Sequence, residues 1–105
     1  MAKFAFIYRG GKSGETKEEQ DKAMAAWGKW FGELGDALAD GGNPFGPGKT
    51  VDKGGVSDKV KGEPATGYSV VNAKDHSAAA ELAKSCPMFE HDPDSAVEVY
   101  EAFPM

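Results

Sequence analysis

The first apolar run of the chain, "KFAFIY" over residues 3 to 8, has no polar side: Phe4, Phe6 and Tyr8 project one way and Ala5 and Ile7 the other. An alternating segment that is apolar on both sides reads as a strand covered on two faces. "RGGKSG" closes it as a loop. The period then changes. Thr16 and Glu19 stand at the spacing of a capping box, and Met24, Trp27, Phe31, Leu34 and Leu38 follow at gaps of three and four. That spacing predicts an amphipathic helix from about Lys17 to Ala39, with Trp27 and Phe31 in the middle of its core stripe. Trp30 falls at the margin of the stripe, where it could meet a ligand or a second subunit. Gly28, Gly32 and Gly35 share one flank, which reads either as close packing of another backbone, from a partner or from residues 50 to 66, or as glycines that a well-docked helix tolerates. "DGGNPFGPG" stops the helix, with glycine suited to the C-cap and prolines that cannot continue it.

Glycine and proline dominate from Asn43 to Gly67. A short strand near Pro44 to Val51 and then a long excursion, "DKGGVSDKVKGEPAT", are expected. "GYSVVNA" (67 to 73) is a second aromatic and β-branched strand. Asp75 or Ser77 caps a short alanine-rich helix through about Ser85. "SAVEVYEAF" (95 to 103) is the last strand, with Val97, Val99 and Phe103 on one side and Tyr100 and Ala102 on the other. Strand, helix, strand is thus written twice in one domain, residues 1–105. Such a chain is expected to be α+β, a ferredoxin-like βαββαβ sandwich with both helices on one face of an antiparallel sheet. The other face then carries apolar residues that a monomer would leave exposed. Packing two such faces together gives a homodimer.

Composition narrows the partners. Hydrophobic residues make up 40% and charged residues 28% of the chain, which suits a globular protein and not a disordered one. A net charge of −5 argues against nucleic acid, whose phosphates it would repel. The N-terminus lacks a secretory apolar core and no window reaches the length of a membrane span, so no membrane partner and a cytoplasmic location are expected. One cysteine excludes an internal disulfide and a multi-cysteine zinc site.

"MAKFAFIYRG", "MAAWGKWFGELGDALADGGNPFGPGKTV", "TGYSVV", "LAKSCP" and "VEVYEAFPM" together resemble the YCII-related, or DGPF, family of the dimeric α/β-barrel superfamily. The resemblance covers nearly the whole chain. It implies a ferredoxin-like protomer and a dimeric α/β barrel. Relatives include a chloromuconolactone dehalogenase, and others neighbour extracytoplasmic sigma factors. Members with a proposed active site carry a histidine on the first helix and an aspartate just after the second. By its glycine and proline landmarks this chain has Met24 near the first position and Cys86 at the second, and neither can do the same acid–base work.

In βαββαβ topology the end of the first strand, the start of the first helix, the loop between strands two and three and the end of the second helix meet at one rim. Tyr8, Arg9, Cys86 and His91 belong there, and His76 to the opposite rim. Cys86 is either a thiolate activated by its neighbours or a small buried group where Pro87 ends a helix. His91, in "FEHDPD", is either a general acid–base or part of a solvated loop, since successive residues are poor joint metal ligands. "GGNPFGPG" lacks the lysine and hydroxyl of a phosphate loop and follows a helix instead of preceding one. The expected ligand-binding set is Tyr8, Arg9, Met24, Trp27 and Cys86, with His91 and Cys86 as catalytic candidates and no metal or cofactor. The functions in competition are a homodimer holding a small organic ligand in a rim cleft, a small lyase or isomerase, and an interaction module linked to transcription regulation.

Overall fold

The computed structural model describes residues 1–11 and 16–104, so the "KSG" half of the expected "RGGKSG" loop lies outside the described residues. Along the chain run β1 (Ala2–Arg9), α1 (Lys17–Leu34), a 3-10 turn (Gly35–Ala37) and β2 (Leu38–Asp40), then β3 (Thr50–Asp52) and β4 (Gly55–Ser57). β5 (Ala65–Ala73), α2 (His76–Ala83), α3 (Met88–His91) and β6 (Ala96–Ala102) complete it. Four strands form an antiparallel sheet in the order β2-β5-β1-β6. The chain is α+β, and this strand order is compatible with a ferredoxin-like fold.

Register decides which side is buried. Phe6 lies opposite Ser69 on one neighbour and Val99 on the other, and Tyr8 opposite Gly67 and Val97, so these side chains share a face. Both long helices pack on it. Trp30 of α1 stacks on Phe6 with ring centres 6.3 Å apart, Trp27 meets Tyr8 edge-on at 5.0 Å, and His76 of α2 leans on Phe4 at 5.4 Å. Phe4 and Phe6 are wholly buried, each contributing about 2–3 kcal/mol of transfer free energy.

Local capping follows the sequence. The Thr16 hydroxyl accepts from the Glu19 N–H at 3.1 Å, and the Asp75 carboxylate from the Ala78 N–H at 2.8 Å. The end of α1 does not. Gly35 takes φ +54° and donates its N–H to the Phe31 carbonyl, stopping the helix at Leu34. Leu38 therefore reaches the core from β2 and not from a helix. The strand expected at Pro44 to Val51 is replaced by β2, an isolated bridge between Pro44 and Gly67, and β3 in a separate hairpin. Gly42 makes the intervening turn possible: its φ is +73°, and a Cβ there would stand 1.8 Å from the Tyr68 carbonyl oxygen.

The core stripe of α1 also departs from expectation. Ala23, Trp30 and Leu34 are buried, Trp27 and Phe31 flank them half-buried, and Met24 is 74% exposed. At about 100° per residue Met24 lies roughly 120° around the helix from Trp30, whereas Ala23, Leu34 and Trp27 fall within about 60°. Trp30, expected at the margin, is 3% exposed because it covers Phe6. Gly28 and Gly32 have nothing within 4 Å of a Cβ position, so the 50 to 66 segment does not pack there.

On the far side of the sheet Ala5, Ile7, Tyr68 and Val70 are only half-buried and Tyr100 is exposed. Among the described residues no helix covers this side. The excursion is not irregular throughout, since β3 and β4 form a hairpin arm outside the main sheet.

Candidate functional site

Tyr8 ends the apolar alternation of β1 and points into the helix-covered layer. Its hydroxyl donates to the Ser69 hydroxyl at 2.8 Å, and Ser69 donates onward to the Gly41 carbonyl at 2.7 Å. Burial holds the phenol protonated far above its ordinary range, with the hydrogen bond to Ser69 opposing and the nearby Cys86 adding to the shift. Cys86 is buried beside it. Its own thiol is pushed up to about 11 by burial. At neutral pH this pair therefore presents two protonated groups, neither a nucleophile nor a base. Trp30 is anchored nearby, its indole N–H donating to the Ser85 hydroxyl at 2.9 Å.

Arg9 follows Tyr8 but lies on the other side of the sheet, where alternation puts it with Ile7 and Glu98. Its guanidinium ion-pairs with Glu98 at 2.6 Å and also donates to the Glu63 carbonyl. The hydrogen bond to Glu98 raises its pKa further. The sheet thus separates Arg9 from Cys86. Met24 is exposed on the outer side of α1. Only Tyr8, Trp27 and Cys86 of the expected ligand-binding set come together.

His91 is exposed at the end of α3, a single turn of helix where a loop is expected. No hydrogen bond or ion pair among the described residues joins it to Cys86. Its acidic neighbour Asp92 is occupied structurally, accepting from the N–H groups of Gly11 at 3.0 Å and Asp94 at 3.1 Å. Among the described residues no three histidine, cysteine, aspartate or glutamate side chains are grouped to hold a metal. His76 keeps the expected surface position, with Nε2 2.9 Å from the Val99 carbonyl oxygen.

The Tyr8–Arg9 end of the sheet, where Gly67 bridges Pro44 and Ala65 pairs with Arg9, carries a cleft that the expected residues do not line. It has a volume of about 410 Å³ and is walled by Pro44, Phe45, Pro47, Val60, Pro64 and Ala65. Three prolines stiffen its walls. The Phe45 ring stacks on Tyr68 at 5.7 Å, and the Phe45 N–H donates to the Thr66 carbonyl at 2.8 Å, so the aromatic wall is tied to β5. The signal for this site was present in "NPFGPG", whose prolines and aromatic can be read equally as a bent edge strand. Only the fold shows that they face Val60 and Pro64 across a gap. No protein-family model matches the chain, and the search of curated proteins returns no match.

Proposed function

We propose that this protein is a homodimer that binds a small, predominantly apolar organic molecule in the rim cleft between Phe45, Pro47, Val60 and Pro64. The cleft carries the reading: at about 410 Å³ it falls within the roughly 300–1,000 Å³ of small-molecule sites. Its walls are apolar, aromatic and stiffened by proline, which lowers the cost of ordering on binding. Arg9 stands nearby, bonded to the carbonyl of Glu63 next to Pro64. The half-buried sheet face of Ala5, Ile7, Tyr68 and Val70 supports pairing of two copies face to face into a barrel-like dimer. Such an assembly agrees with the YCII-related resemblance. Chemistry at Cys86 has less support, because its thiol and the Tyr8 phenol both hold their protons.

Titration of isotope-labelled protein with indole and with phenylacetate tests the site. Amide shifts confined to Gly46, Gly48 and Ala65, and abolished by Phe45→Ala, are expected. No shift at millimolar probe would remove the cleft from consideration. Light scattering at micromolar concentration should report a particle of about 22 kDa, twice the 11.1 kDa chain.

A further inference from the structure

β5 carries one residue too many where it passes the end of β1. Tyr8 lies opposite Gly67 and its successor Arg9 opposite Ala65, so Thr66 is left without a partner on β1. Such a bulge bends the strand and re-aims the residues beside it. The Thr66 side chain fixes this one to β1, its hydroxyl proton shared between the carbonyl oxygens of Gly10 at 2.9 Å and Tyr8 at 3.1 Å. Its main chain serves the other neighbour. There the Thr66 carbonyl accepts the Phe45 N–H at 2.8 Å, so a single residue joins the Phe45 wall of the cleft to an interior strand of the sheet.

The facing wall, Pro64 and Ala65, comes immediately before the bulge. Arg9 holds it. From its place opposite Ala65 the guanidinium donates to the Glu63 carbonyl, the oxygen of the peptide bond that enters Pro64, while its Nε is paired with Glu98 of β6 at 2.6 Å. The side chain therefore reaches from β6, across β1, to the residue two places ahead of β5. Guanidinium donors lie in a rigid planar fork, so two bonds in different directions fix both the plane and the carbonyl it holds. At 29% and 38% exposure the ion pair itself adds little stability. What it supplies is position.

At its far end the cleft is closed by contact. A Cβ on Gly48 would stand 2.8 Å from the Val60 side chain, and the Lys61 N–H donates to the Thr50 hydroxyl at 3.1 Å. The two walls touch there, so their separation can vary only at the sheet end, where Thr66 and Arg9 hold them.

We infer that Thr66 and Arg9 are positioning residues of the cleft: neither lines it, and together they set the distance between the Phe45 and Pro64 walls and so the ring-sized ligand that fits. This rests on the ligand-binding reading above. It assigns the width of the site to a bulge and a strap outside it.

Indole titrated into the isotope-labelled full chain tests it, with affinity read from the amide shifts of Gly46, Gly48 and Ala65 and a thermal melt recorded for each protein. Thr66→Val exchanges the hydroxyl for a methyl of similar volume, at a residue whose φ is not positive; Thr66→Ser keeps the hydroxyl; Arg9→Lys keeps the charge and loses the fork. Thr66→Val and Arg9→Lys should each weaken indole binding by at least about fivefold, the factor of one net hydrogen bond. Thr66→Ser should bind as the wild type does. Arg9→Lys changes a part-exposed pair and leaves the fold intact, so it carries the test even where Thr66→Val unfolds. A lower melting temperature with unchanged affinity would mean that the two residues only support the fold, and overturns the inference while leaving the cleft standing. Thr66→Ser binding as weakly as Thr66→Val overturns it too. A wild-type chain that does not bind indole removes the cleft, and the positioning role with it.

Discussion

Replacing Tyr8 with phenylalanine removes one oxygen from the core, and the effect should depend on Ser69 in a way that reverses sign. In the native layer the phenol donates to Ser69, which donates in turn to the Gly41 carbonyl. Tyr8→Phe loses the first bond but leaves Ser69 its own donation, so the net cost is about 1 kcal/mol. Ser69→Ala strands two groups, the buried phenol and the Gly41 carbonyl. At about 1–3 kcal/mol for each unsatisfied group, it should cost about 3 kcal/mol. Against that background Tyr8→Phe removes one stranded group and should recover about 1–2 kcal/mol. Urea unfolding of the four proteins at one concentration and pH 7, with midpoints compared at constant slope, completes the cycle. If Tyr8→Phe costs the same with and without Ser69, the chain of hydrogen bonds is not what stabilises this layer.

The Cys86 thiol, pushed up to about 11 from an ordinary value of 9.0, holds its proton longer in the folded than in the unfolded state. A raised folded pKa means stability that is complete below pH 9 and lost as pH rises from about 9 to 11, an amount of about 2–3 kcal/mol. The Tyr8 phenol adds a loss of the same sign above pH 10. Thermal melts across pH 8 to 11 should show the decline, with a shallower slope in Cys86→Ala; an identical slope in that variant would show that the thiol is not its source. On α1, Gly28→Ala and Gly32→Ala each meet open space and should raise stability by about 0.5–1 kcal/mol. A loss of dimer on light scattering would instead reveal a partner's backbone on that flank.

Much of the fold was legible locally because its signals are local. The Thr16 and Asp75 caps need only their own helix starts, and the two-sided alternation of residues 3 to 8 needs only the period of a strand. Errors arose where a remote contact decides. Met24 and Trp27 fit one helical stripe as well as Trp30 does, and Trp30 won because the sheet presents Phe6 and Ser85 lies within reach of its indole. The candidate site suffered more. Tyr8 and Cys86 are 78 positions apart in the chain, and that they meet with both protons held is a consequence of burial, which no spacing encodes. Arg9 was grouped with them because the topology gathers their elements at one rim, although strand alternation sends its side chain to the other face of the sheet and to Glu98. The cleft drew its walls from both ends of the excursion, and the arm between them was read as loop because two three-residue strands are too short to show a period.

What the amino-acid order alone determined is therefore the set of elements and their sidedness, since capping, period and glycine stops act over a few residues. Which apolar groups are covered, which titratable groups keep their protons, and where a ligand-sized gap opens were decided by the tertiary structure. Burial and desolvation depend on residues that only the folded chain brings into contact.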